Sequence, residues 1–223
     1  ALLKKNLPNV KKIFIICDKN VPLAHLQKLK SSLKSYKPNI LRISSNEKVK
    51  NFKVAHMIIE KLLHNNFNRS DCVVSLGGGI VGDLSAFVSS LTKRGIKFIN
   101  IPSTLLAQVD ASIGGKTGVN STQGKNLIGS FYQPDFVLID ISLLKSLPRR
   151  EVICGYAEIL KHALILDKKF FIWLHKNSKK IINKNNKNLL KIAIQKSCTI
   201  KSGIISKDEK EKNIRMVLNF GHT

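Results

Sequence analysis

Four stretches of the 223-residue chain carry residue types that could do chemistry. The first, "SLGGGIVGDLSAF" (75–87), sets Gly77, Gly78, Gly79 and Gly82 between an apolar run and a helical pattern, with Asp83 directly after. Such a turn lets backbone N–H groups and a helix N-terminus approach an anion closely. Its GGGxxGD spacing departs from the common GxGxxG fingerprint, and tight strand–helix packing accounts equally well for the glycines. The second, "IPSTLLAQVDASIGGKTGVNSTQGKNLIGSFYQP" (101–134), reads as one long loop rich in Gly, Ser and Thr. Loops of that length are uncommon unless they act. It carries the steps Gly115–Lys116 and Gly124–Lys125, with Asp110 and Asn126 beside them. Lysines next to glycines reach phosphates as point charges; the plainer reading is a solvated loop.

The third stretch is "GYAEILKH" (155–162). On a helix, Glu158 shares a face with Lys161 and with His162. That arrangement suits a metal ligand, and it suits an ordinary surface ion pair as well. The fourth, "LNFGHT", ends the chain, with Asn219 and His222 four and seven residues after Arg215. Without context it is a frayed terminus. Glu158 and His222 are candidate metal ligands, and two are too few for a closed zinc site.

These residues need elements to hold them. Short apolar runs alternate with helix-length segments over the first two thirds: "KIFIIC", "NILRIS", "DCVVSL", "KFINIP" and "DFVLID" read as strands, separated by helical patterns such as "PLAHLQKLKSSLKSY" and "KVAHMIIEKLLHNNF". Strand and helix in alternation predict a parallel sheet with helices on its faces, which binds ligands at the strands' carboxyl ends. From about Ile141 the pattern is helical without clear strands, and Pro148 breaks the chain near the change. The expectation is an α/β domain over 1–142 and a mostly helical domain over 143–223.

Composition narrows the classes. No apolar run approaches the ~20 residues of a membrane span, and the N-terminus lacks the order of a signal peptide. A missing initiator Met suggests a piece of a longer chain. The formal charge of +24 invites a nucleic-acid reading. However, the lysines are spread from end to end and aromatics are few, which favours a solvated basic surface that attracts small anions. Cys17, Cys72, Cys154 and Cys198 stand far apart with no CxxC pair, so buried, reduced thiols in a cytoplasmic protein are expected.

Taken in order, "GGGIVGDLSAF", "IPSTLLAQVDASIGGKTGVN", "GKNLIGSFYQP", "LPRREVICGYAEILKHALILD" and "LNFGHT" resemble the 3-dehydroquinate synthase family over nearly the whole chain. The resemblance implies a Rossmann-like NAD-binding domain followed by a helical domain, with the site between them. It implies a lyase that uses NAD and zinc (or cobalt) to convert the sugar phosphate acid DAHP into 3-dehydroquinate and phosphate, a step of the shikimate pathway. The implied course is transient oxidation, phosphate elimination, reduction and intramolecular aldol closure. Carried over by motif, the cofactor positions are Asp18, Ser45, Asn46, Glu47, Lys50, Gly77, Gly78, Gly79, Ile80, Val81, Gly82, Asp83, Ser103, Thr104, Asp110, Lys116, Lys125 and the segment Leu143, Leu144, Lys145, Ser146. Lys116, Asn126, Lys161, Lys201, Arg215 and Asn219 match substrate positions. Arg94 matches a residue that reaches a neighbouring subunit, which implies a homodimer.

Glu158 and His222 match two zinc ligands of the family; the third matches a His beyond Thr223. Ser103 stands where the family usually has Thr. A chain with an incomplete metal site is expected to bind NAD and turn over poorly, with His162 as a less favoured substitute ligand. Another sugar-phosphate cyclase, a metal-dependent alcohol dehydrogenase of related fold and a non-catalytic NAD-binding protein remain open alternatives.

Overall fold

The computed structural model describes residues 2–221, so His222 lies outside the described residues. The chain divides into two compact units, residues 1–102 with 115–138 and residues 103–114 with 139–223.

The first unit opens with a short helix α1 (Leu2–Asn6). Its sheet contains β1 (Ile13–Asp18), β2 (Asn39–Ile43), β3 (Cys72–Gly77), β4 (Lys97–Pro102) and, later in the chain, a short fifth strand at Phe136–Val137. All neighbours in this sheet are parallel. β1 and β3 are buried at every position, as continuous apolar runs must be when helices cover both faces. The connecting helices are α2 (Leu23–Ser32), α3 (Phe52–His64) and α4 (Gly79–Leu91). The Asn51 side chain accepts the Val54 N–H at 2.9 Å and so sets the start of α3. Ala55, Ile58 and Leu62 of α3 pack in one cluster with Phe14, Val73, Val81, Leu84 and Phe98.

The stretch 101–134 is not the single loop that its composition suggests. Its middle forms an antiparallel hairpin, β5 (Lys116–Ser121) with β6 (Gly124–Phe131). Glycines hid it: Gly118 and Gly129 face each other across the two strands, where an added Cβ would strike the opposite backbone. The strand expected over "DFVLID" shrinks to β7 (Phe136–Val137), at the sheet edge.

The second unit is built on α5 (Arg149–Leu166), α6 (Lys168–Ile182) and α7 (Lys187–Ile205). Asp167 and Asn186 accept first-turn N–H groups of α6 and α7 at 2.8 and 3.0 Å, which ends one helix and starts the next. A boundary drawn at residue 142 misses one excursion. Ser103–Gly114, including a π-helical turn at Ala107–Ala111, belongs with the helices. Leu105 and Val109 are fully buried among Ile159, Phe170, Leu174 and Ile194. Gly155 permits this packing, since a Cβ there would lie 2.5 Å from the Leu106 nitrogen. Among the described residues, no helix is long and apolar enough to cross a membrane. All four cysteines are free; Cys17 and Cys72 are buried and Cys198 half-buried, whereas Cys154 is exposed on α5, against the expectation of burial.

Candidate functional site

The sheet order is β2-β1-β3-β4-β7. β1 is followed by a strand on one side and then by β3 on the other, so the order reverses between β1 and β3. That is where open parallel sheets bind ligands, beyond the carboxyl ends of the strands. Asp18 ends β1, 5% exposed, with its carboxylate accepting the Asn20 N–H at 2.8 Å. The glycine turn ends β3. Gly77 is required by close approach, because a Cβ there would sit 2.7 Å from that of Val81. Gly78 then caps α4 in extended conformation with no side-chain cap bond. The first-turn N–H groups around Ile80 and Val81 are therefore not claimed by a capping side chain, and the helix N-terminus favours an anion there.

A polar network joins several expected residues within this unit. The Lys50 ammonium donates to Asp83 Oδ2 and to Asn126 Oδ1, both at 2.6 Å, and Lys50 is only 5% exposed. Asn126 takes a left-handed backbone, φ 59°, at the start of β6. Glu47 is exposed; its carboxylate accepts from Asn120 Nδ2 at 2.7 Å and lies 3.9 Å from Lys125 Nζ. Lys50 thus points inward to Asp83 and Asn126. Asn46 caps the turn that carries Glu47, and Ser45 accepts from Asn20. Lys116 and Arg94 are exposed, the latter in a left-handed turn.

The second unit holds a denser cluster. Lys201 of α7, 6% exposed, donates to the Asp110 carbonyl at 2.5 Å and to its carboxylate at 2.6 Å. On α5, Lys161 Nζ lies 2.5 Å from Glu158 Oε2, with side chains 7% and 15% exposed. This is no surface pair. His162 is fully buried; its Nδ1 meets Ser197 Oγ at 2.7 Å. Its Nε2 is buried without a hydrogen bond and lies 3.9 Å from Asp110 Oδ1. Donor atoms of Asp110, Glu158 and His162 all fall within 4.8 Å of one another.

Electrostatics in this cluster follow from burial. Burial pushes the Asp110 carboxyl up, but the Lys201 ammonium, with Lys161 and His162 behind it, outweighs that and holds it below the usual range. Lys201 is drawn down by burial despite Asp110. Burial takes the His162 imidazole down to about 4, so it is neutral at pH 7.

Other expected positions are dispersed. Ser103 and Thr104 begin the excursion, where Thr104 Oγ1 accepts the Ala107 N–H. Leu143 and Leu144 are buried, while Lys145 and Ser146 are exposed. Arg215 is 3% exposed and spends its guanidinium on the carbonyls of Gly114 and Glu209. Asn219 donates to Glu211 Oε1. Sequence reasoning overlooked Asn120 and Ser197. Asn120 lay inside a quoted motif, and a hydroxyl in the middle of an apolar helical face was the signal for Ser197.

Comparison with known proteins matches these features. A family model for the 3-dehydroquinate synthase N-terminal part covers residues 40–154, and one for the C-terminal part covers 155–223. The 3-dehydroquinate synthase of Pelagibacter ubique (strain HTCC1062) is 52% identical over 99% of this chain and 60% of its own length. A solved 2-deoxy-scyllo-inosose synthase, complexed with carbaglucose-6-phosphate, NAD+ and Co2+, superposes with TM-score 0.89 at 28% identity, over 99% of this chain and 62% of that one. The 2-epi-5-epi-valiolone synthase from Streptomyces hygroscopicus subsp. jinggangensis 5008, with NAD+ and Zn2+ bound, gives 0.87 at 25%, over 96% and 61%. The chain thus spans about 60% of the length of the curated relatives it matches. Family models that run without interruption from residue 40 to residue 223 place the chain in the 3-dehydroquinate synthase family.

Proposed function

We propose that this chain forms the dinucleotide-binding unit and part of the metal and substrate unit of a 3-dehydroquinate synthase, a cytoplasmic lyase that turns DAHP into 3-dehydroquinate and phosphate. The observation that carries this reading is the cluster of Asp110, Glu158, Lys161 and Lys201, two half-buried carboxylates against two buried ammonium groups, which stands on the residues the family motifs mark. The residues fit both groups that the reading requires. The α4 N-terminus at a sheet switch point suits a dinucleotide pyrophosphate. Glu158, with a neutral imidazole and a second carboxylate nearby, suits a zinc or cobalt ion. When bound, NAD supplies a reversible hydride acceptor, and the divalent ion polarises substrate hydroxyls.

The chain's own residues bind and orient. Glu47 accepts from ribose hydroxyls, and Lys125 adds positive charge beside it. Lys116 and Asn126 hold the phosphate end of the substrate. Lys161 and Lys201, each set against a half-buried carboxylate, fix the sugar acid's oxygens by ammonium donors. Arg215 presents a planar fork for the carboxylate once it leaves its carbonyl partners. Positioning by cationic contacts supplies much of the rate, and no strong protein base is needed. Arg94, exposed in its turn, would complete the site of a second subunit in a homodimer.

A turnover assay of the purified protein with DAHP, NAD and Zn2+ or Co2+ tests this. Equal release of phosphate and 3-dehydroquinate without NADH accumulation supports it. Turnover of a hexose 6-phosphate in place of DAHP would move the protein to another cyclase, and stoichiometric NADH to an alcohol dehydrogenase. Calorimetric titrations of the 223-residue chain with NAD and Zn2+ read the two binding sites separately.

A further inference from the structure

We propose that Asn120, at the end of β5, is the positioning residue that sets Glu47 and Asn126 for the dinucleotide and its anionic neighbour. The inference rests on the reading that the first unit binds NAD.

One carboxamide serves two segments that are far apart in sequence. Asn120 Nδ2 donates to Glu47 Oε2 at 2.7 Å, and Asn120 Oδ1 accepts the Asn126 N–H at 3.0 Å. The partners fix the amide's orientation. An ionised carboxylate only accepts and a backbone N–H only donates, so the amide cannot be turned over without breaking both bonds. The backbone of Asn120 is pinned as well. Its N–H donates to the Lys50 carbonyl at 2.7 Å, and residues 51 and 120 form an isolated parallel bridge.

Each partner needs such a tether. Glu47 is exposed on a single short turn, so without Asn120 its carboxylate would sample several rotamers. Asn126 holds a left-handed φ of 59°, a conformation that non-glycine residues adopt at some cost unless surroundings impose it. Its side chain must also meet the Lys50 ammonium, which in turn meets Asp83. Asn120 therefore closes a ring of contacts from the Glu47 turn through the hairpin to α4. The side-chain type is closely specified. Asp would place a second carboxylate against Glu47, Ser lacks a second prong, and Gln would overshoot both partners by one methylene.

The test is calorimetric titration of NAD, and of ADP-ribose as a probe lacking nicotinamide, into the 223-residue chain and its variants. Asn120→Asp keeps the acceptor for the Asn126 N–H and replaces the donor with a like charge. It should weaken both ligands about tenfold, equivalent to one charge-assisted hydrogen bond. Glu47→Gln alone alters the ribose contact, so it is the reference for the double variant. With Glu47→Gln in place, the bond to the Asn120→Asp carboxylate forms with donor and acceptor exchanged, and Asn120→Asp should cost less than about threefold in that background. A scaffold defect would not be rescued in this way. Should Asn120→Asp fold poorly, Asn120→Ser is the second variant, with the same loss expected at an unchanged thermal midpoint.

Binding by either Asn120 variant within twofold of the parent would overturn the inference. So would an Asn120→Asp loss as large in the Glu47→Gln background as in the parent. If the parent chain binds neither ligand, the dinucleotide reading itself fails and takes this inference with it. That outcome is distinct from a parent that binds and variants that bind equally.

Discussion

The two polar clusters solve different problems. In the first unit, Lys50, Asp83, Asn126, Asn120 and Glu47 are joined mostly by amides and backbone groups, and only one carboxylate meets a buried ammonium. In the second, two buried ammonium groups, two half-buried carboxylates and a buried imidazole are packed together. A network of amides and backbone groups is held by directional donor–acceptor bonds that fix its geometry. The second cluster is coupled, because Asp110, His162 and Lys201 each shift the others' protonation. The first arrangement suits holding a ligand and the second suits chemistry.

Removing a charge should separate the two most sharply. Asp110→Ala leaves Lys201 buried without its carboxylate, which should cost about 4 kcal/mol. Trp173, the single tryptophan, lies on α6 and reports the unfolding of this unit in a urea titration. Acid should act next. The His162 imidazole sits at about 4 in the folded state, below its unfolded value, so the unfolded chain takes up its proton first as pH falls. Its contribution is complete above about pH 6.5 and is lost by about pH 4, a loss of about 3 kcal/mol. Asp110, also held below its usual range, adds to the loss at still lower pH. Urea midpoints read by Trp173 fluorescence should fall across that window, and less so in His162→Gln.

The first unit should respond more gently. Lys50→Met frees Asn126 and leaves Asp83, about a quarter exposed, partly solvated, at about 2 kcal/mol in stability. NAD affinity should fall with little change in Zn2+ binding, which would sharpen the contrast between the units. Lys125→Ala should be smallest: its carboxylate partner is 3.9 Å away and both side chains are exposed, so stability should change by less than ~0.5 kcal/mol. Any loss of NAD affinity there should shrink as salt is raised.

Much of the architecture was legible because it follows from period and capping. The buried runs of β1 and β3 and the amphipathic pattern of α3 are local signals. The hairpin was not legible, since Gly118 and Gly129 give no strand propensity and owe their place to backbones meeting across the strands. Pairings escaped for a related reason. Glu158 and Lys161 are visible as a three-residue step, but nothing in that step says that the pair is buried. Asp110 and Lys201 are 91 residues apart, and only the packing of the π-helical turn on α7 brings them together. Residue types revealed the kind of chemistry; tertiary packing decided which groups touch.

The excursion of residues 103–114 has a practical corollary for anyone dividing this molecule. No single cut yields two self-sufficient pieces, because the helical unit takes two fully buried side chains, Leu105 and Val109, from upstream. A polypeptide beginning at Ile139 would expose the apolar surface they cover, forfeiting about 1.5–3 kcal/mol for each missing side chain, and would also lack the carboxylate that neutralises Lys201. Limited proteolysis between the hairpin and α5 should therefore leave two fragments that stay folded only while the upstream one still supplies that turn.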